Sequence, residues 1–239
     1  MKEIENIKVT ELIEFNRRAD GKNKNKFAQK LKTREKKHIE VKEENNSKGG
    51  GDYWISSQSC VLNVFKTENK GLYDSKISEL SSKLNECKLK NTRTNLDRNI
   101  QILENFKDFD LGELRPDSSL KYNVPIKKKI KTFIYKELPI YLAPSSFYSY
   151  KKNNKDYLGA LWLVSKKDGY KKAELGVFCE LLYFLIEQEY KDKYCFEKEY
   201  CCVVDMWNAY SVSYNDIVEQ KIPQLLDSII TRIKEVKNE

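Results

Sequence analysis

The run Tyr157-Leu158-Gly159-Ala160-Leu161-Trp162-Leu163-Val164 carries no charge and no alternation of apolar with polar residues. A strand with one face in water alternates, whereas a strand covered on both faces does not. The run is also far shorter than the roughly 20 residues a membrane helix needs. It therefore predicts a central strand between two layers. The turn-like Asn153-Asn154-Lys155-Asp156 leads into it and Lys167-Asp168-Gly169 leads out.

The neighbouring segments can supply those layers. Residues 172–190 place Leu175, Phe178, Leu182, Leu185 and Ile186 on one helical stripe. Cys201 to Met206 reads as another buried strand, and Pro223 as the opening of a final helix with Leu226, Ile229, Ile230, Ile233 and Val236. Upstream, Thr132-Phe133-Ile134-Tyr135 and Ile140-Tyr141-Leu142 flank Lys136-Glu137-Leu138-Pro139 as a hairpin, and Phe147 to Tyr150 forms a short strand. The expected fold is α/β (or α+β), with N-terminal helices followed by a mixed central sheet and flanking helices.

The first half divides differently. Residues 7–18 suit a short helix capped by Thr10, with Glu11 and Glu14 in its first turns. Residues 22–48 are rich in Lys, Asn and Glu, and Phe27 with Leu31 permits an amphipathic turn or two before the flexible Gly49-Gly50-Gly51. Helical spacing returns at Cys60, Val61, Val64 and Phe65, then from Tyr73 to Cys87 and from Thr94 to Phe106. The expected organisation is an N-terminal helix (1–21), a basic mobile segment (22–51), a helical subregion (52–115) and the α/β core (116–239).

Charge is uneven along the 239 residues, whose formal net charge is +8. Arg17 to Lys48 holds 12 Lys/Arg against 5 Asp/Glu, and Lys121 to Lys136 holds 6 Lys and no acid. The start of the chain, Met1-Lys2-Glu3-Ile4-Glu5, has no apolar stretch behind it. Six cysteines in such a chain read as reduced, buried thiols. A soluble, cytoplasmic protein with no membrane partner is expected.

Several chemistries lose their residues at once. His38 is the only histidine and lies in a charged stretch, which disfavours a histidine triad or a multi-histidine metal site. Cys60, Cys87, Cys179, Cys195, Cys201 and Cys202 contain no C-x-x-C, and a strand would point Cys201 and Cys202 to opposite faces. Structural thiols are favoured there over a zinc site built from Cys179, Cys195 and one of the pair. The triple glycine lacks both the spacing of a phosphate loop and a preceding strand. Tyr53 and Trp54 either anchor the linker or offer a stacking face.

The order of helix, hairpin, central strand, helix and strand, over roughly residues 94–206, resembles the PD-(D/E)XK nuclease-like superfamily. That resemblance implies an acid at the end of the second core strand and a D/E-x-K tripeptide on the third, together holding Mg²⁺. Here the corresponding places read Ser145-Ser146-Phe147 and Gly159-Ala160-Leu161-Trp162. Glu104, Asp156 and Asp205 are the acids that could rebuild a site, and Mg²⁺ would be the cofactor only in that case. Asp205, between Val204 and Met206, needs a salt-bridge partner or a ligand if its strand is buried. A degenerate, non-cleaving relative is the expectation, with no cofactor and no metal.

Lysines then dominate the candidate binding residues. Lys127, Lys128, Lys129 and Lys131 precede the first strand, and Lys151, Lys152, Lys155, Lys166, Lys167, Lys171 and Lys172 fall near turns. Together they could form one basic edge attracting phosphates without base specificity. Tyr135, Tyr148, Tyr150 and Tyr170 interleave with them as stacking faces. The expected partner is DNA or RNA. An acidic protein bound by the basic arm is the alternative, and a metal-dependent nuclease with relocated acids the third.

Overall fold

The computed structural model describes residues 4–36, 53–122, 124 and 132–236. The apolar run lies in β5 (Lys155–Val164), inside a four-stranded sheet of order β4 (Ser146–Lys152), β5, β6 (Cys195–Asp205), β7 (Tyr210–Ser213). β4 and β5 are antiparallel, β5 and β6 parallel, β6 and β7 antiparallel. A parallel neighbour needs a crossover, and α6 (Lys172–Tyr190) provides it.

Both faces of this sheet are covered, which is why β5 is apolar from Tyr157 to Val164. Leu158, Ala160, Trp162 and Val164 join one apolar cluster with α6, α1 (Val9–Arg17) and α8 (Leu226–Glu235). Leu161 and Leu163 join a second with α3 (Ile55–Thr67), α4 (Gly71–Glu86) and α5 (Lys90–Lys107). Cys201 and Cys202 fall in opposite clusters, as strand alternation requires. Gly159 stands opposite Tyr148 on β4. A Cβ there would lie 2.3 Å from the Tyr148 ring, so only glycine lets that fully buried ring cross the strand.

The expected hairpin exists, β2 (Thr132–Tyr135) and β3 (Leu138–Tyr141). Lys136 and Glu137 turn it with φ of 45° and 70°, the geometry of a two-residue hairpin loop. It does not enter the central sheet. It pairs instead with β1 (Ile7–Lys8) in a separate three-stranded sheet of order β1, β3, β2. Pro144, which has no N–H to donate, lies between β3 and β4, where one ladder ends and the next begins.

Other differences have local causes. Ile7 and Lys8 are strand, so α1 starts at Val9, and the Glu11 carboxylate rather than Thr10 answers the free amide of Lys8 at 2.9 Å. The segment expected to be mobile contains α2 (Lys22–Thr33), about three turns long. Ala28 and Leu31 bury it, the Lys24 ammonium sits 3.0 Å from Asp20, and Arg34 beyond its end grips Glu11 at 2.7 Å. Residues 37–52, with His38 and the triple glycine, lie outside the described residues. β7 and α7 (Tyr214–Val218) were not anticipated, and α8 opens at Leu226 rather than Pro223. Glu180 accepts from the amides of Leu225 and Leu226 at 3.0 and 3.1 Å, which closes that helix end. Among the described residues no helix is long and apolar enough to cross a membrane.

Candidate functional site

The carboxyl ends of β5 and β6 lie side by side, Val164 against Asp205. Crevices form where parallel strands end and a crossover helix begins. The chain from Ser165 to Lys171 fills this edge, and Asp205 fixes it. One carboxylate oxygen accepts from the Tyr170 amide at 2.7 Å and Asn208 Nδ2 at 2.9 Å. The other accepts from the amides of Trp207 at 2.9 Å and Asn208 at 3.4 Å. Asp205 is fully buried, and these four donors take the place of the salt-bridge partner or ligand expected of a buried carboxylate. Gly169, with φ of 69°, makes the approach possible, because a Cβ there would lie 1.8 Å from Asn208 Nδ2.

Beside this loop opens a cleft of about 480 Å³ between α1, the start of α3 and the end of β5. That is the size of a small-ligand site. Lys166, Lys167, Arg17, Trp54 and Tyr170 line it. Arg17 is already committed, gripping Glu174 of α6 with two bonds of 2.5 Å. Burial pushes the Glu174 carboxyl up, but Arg17 and the Lys171 amide at 2.9 Å outweigh it and hold the group below its ordinary range. Lys166 and Lys167, by contrast, form no ion pair with a described residue, although Lys166 lies 5.4 Å from the Tyr170 ring centre. Trp54 is half-buried and meets Trp207 edge-on at 6.0 Å. Tyr170 forms the floor. Burial, then the charge of Asp205, pushes its phenol up to about 12. It is therefore a neutral hydroxyl at physiological pH. Gln58 donates to Ser165 at 3.0 Å and fixes the strand end.

The expected basic edge is divided. Lys151, Lys152 and Lys155 surround the turn before β5, while Lys166 and Lys167 follow its far end. A strand rises about 3.3 Å per residue, so the length of β5 (10 residues) separates the two groups by about 30 Å. Lys152 is also spent on Glu197. Tyr150 offers no stacking face. It is 2% exposed, donates to Glu197 at 2.7 Å and stacks on Tyr157. Tyr148 is buried beneath α3, and Tyr135 stacks on Phe184. Lys171 and Lys172 are exposed at the start of α6 and join the Lys166–Lys167 end. Lys127, Lys128, Lys129 and Lys131 lie outside the described residues.

The three acids do not converge. Asp156 faces Lys151 at the opposite end of the sheet from Asp205, and Glu104 on α5 pairs with Lys107 at 2.9 Å. Among the described residues no three His, Cys, Asp or Glu side chains are placed to share a metal. The Cys179 thiol donates to the Cys201 carbonyl at 3.2 Å, whereas Cys195 is exposed at the far end of β6. Sequence reading missed the Arg17–Glu174 clamp, whose partners are 157 positions apart with no shared pattern. Comparison with protein-family models, curated proteins and solved structures gives no match.

Proposed function

We propose that the protein is a non-catalytic nucleic-acid-binding protein that takes a single-stranded segment into the cleft at the carboxyl end of β5. One observation carries this reading: two cations without ion-pair partners among the described residues, Lys166 and Lys167, share a cleft with the half-buried Trp54. Cations track phosphates, and an indole stacks on any base. A binding role is favoured over cleavage because Asp156 stands at the other end of the sheet from Asp205, Glu104 pairs with Lys107, and Asp205 is consumed by four donors. The order α5, hairpin β2–β3, β4, β5, α6, β6 is what supports reading the chain as a non-cleaving accessory relative of the nuclease-like layer, although that hairpin pairs outside the central sheet.

The test is fluorescence anisotropy with a labelled oligothymidylate over a salt series. Each lost phosphate contact on a single strand lowers the log–log salt slope by about 0.7. Lys166→Ala with Lys167→Ala should thus lower it by about 1.4. Trp54→Ala should weaken binding by about 1–3 kcal/mol with the slope unchanged. Absence of binding at low salt would reject the proposal in favour of an acidic protein partner. Nicking of plasmid with Mg²⁺ would reject its non-catalytic part.

A further inference from the structure

We propose that the outward face of α2 is a phosphate-tracking ridge for the backbone of the same strand whose bases enter the cleft. The inference rests on the cleft reading. The rotation of α2 is fixed by what it buries: Lys24, Ala28 and Leu31 point inward. Lys22, Lys26 and Lys30 then recur every fourth residue on the exposed side. Each step along that stripe is about 6 Å. None of the three forms an ion pair with a described residue, while Lys24 is held by Asp20 and Lys32 donates to the Val236 carbonyl.

The stripe is costly to the helix that carries it. Like charges four apart destabilise a helix, and α2 contains no acid to offset them. Its first turn also holds Lys22 and Lys24 and no side-chain cap, so cations sit at the positive end of the helix dipole. A merely solvated face would mix both signs of charge. A regular row of one sign, on a helix anchored by Leu31 and by Arg34, complements a regular polyanion.

The ridge adjoins the cleft through the end of α1. The Arg18 guanidinium lies 4.2 Å over the Phe27 ring of α2 and pairs with Glu14, which lines the cleft. The two surfaces divide the chemistry of one ligand: the cleft supplies a ring face, the ridge supplies charge alone.

A short and a long oligothymidylate separate the two surfaces, because only the long one reaches α2. The variant is Lys22→Gln with Lys26→Gln and Lys30→Gln, which removes charge and keeps helix propensity. The long oligonucleotide should bind more tightly than the short one to the unmodified protein. The variant should lower the long oligonucleotide's salt slope by about 2, leave the short one's affinity unchanged and unfold no earlier than the parent. An unchanged slope in a folded variant would overturn the ridge while leaving the cleft intact. Equal competition by polyglutamate of matched charge would overturn nucleic acid as its occupant. If neither oligonucleotide binds the parent, the cleft reading and the ridge both fall.

Discussion

Replacing Asp205 with alanine distinguishes a carboxylate that holds the fold from one reserved for chemistry. The side chain is fully buried and accepts from the amides of Tyr170, Trp207 and Asn208 and from the Asn208 side chain. Hydrogen bonds to a charged acceptor contribute about 1.5–3 kcal/mol each, and the amides of Tyr170 and Trp207 would be left without an acceptor in a closed site. The four bonds act as a unit and do not add in full, so Asp205→Ala should cost about 3–5 kcal/mol. For a chain of this size that is a fall in Tm of roughly 6–20 °C. Asp205→Asn keeps one oxygen and presents an NH₂ to the remaining donors, so its loss should be smaller but substantial. Thermal unfolding followed by circular dichroism reads both, and oligonucleotide anisotropy reports whether the cleft loses its floor as the loop loosens. A residue kept for chemistry behaves in the opposite way, because its removal is usually neutral or stabilising. An Asp205→Ala protein as stable as its parent would show that the Asp205 carboxylate does not hold the Ser165–Lys171 loop.

Two further substitutions examine other parts of the architecture. Gly159→Ala should cost about 1–3 kcal/mol through overpacking, since its Cβ meets the buried Tyr148 ring at 2.3 Å; urea titration should show a lower midpoint, and an unchanged midpoint would mean that the ring moves freely. Burial holds the Glu180 carboxyl above its ordinary range, in spite of the two α8 amides it accepts. An acid whose folded pKa is raised costs stability when ionised, so that cost is full above the folded pKa and vanishes below the unfolded one, about 4.3. Glu180→Gln keeps an oxygen for those amides and should gain on the parent at neutral pH, the gain disappearing on acidification toward pH 4. A loss at neutral pH that persists in acid would show that the charge itself holds α8.

The elements that sequence reading captured are those whose pattern is local. β5 announces itself as an unbroken apolar run, α6 and the helices expected over Tyr73–Cys87 and Thr94–Phe106 (α4 and α5) by their own periodicity, and the Lys136-Glu137 turn sits where the apolar runs imply one. β1 was invisible because two residues cannot show a period, and β7 because Tyr210-Ser211-Val212-Ser213 holds a single fully buried residue and is completed by its pairing with β6. α2 hid behind its lysines. Only Ala28 and Leu31 mark its buried face in apolar residues, and Lys24 contributes an aliphatic stem while its head reaches Asp20. The partition into two sheets turns on which strand β3 meets, and that strand is Ile7–Lys8, more than a hundred positions away. Lys166, Lys167 and Trp54 were legible as single residues. Their meeting was not, since α1, α3 and the end of β5 come together only in the folded chain.

The apolar side of α1 has a consequence for the order in which the chain becomes stable during synthesis. Ile13 and Phe15 share their cluster with Ile229, Ile230 and Ile233 of α8, and Ile7 waits for Ile140. Translation proceeds at about 5–20 residues per second, so roughly 10–40 s pass between the emergence of Phe15 and that of Ile233. Through that interval α1 and α2 lack α8, one of the surfaces that bury them. The docking of α1 is thus completed only by α8, and a nascent chain stalled before α8 would leave Ile13 and Phe15 incompletely covered and open to any holdase able to reach them.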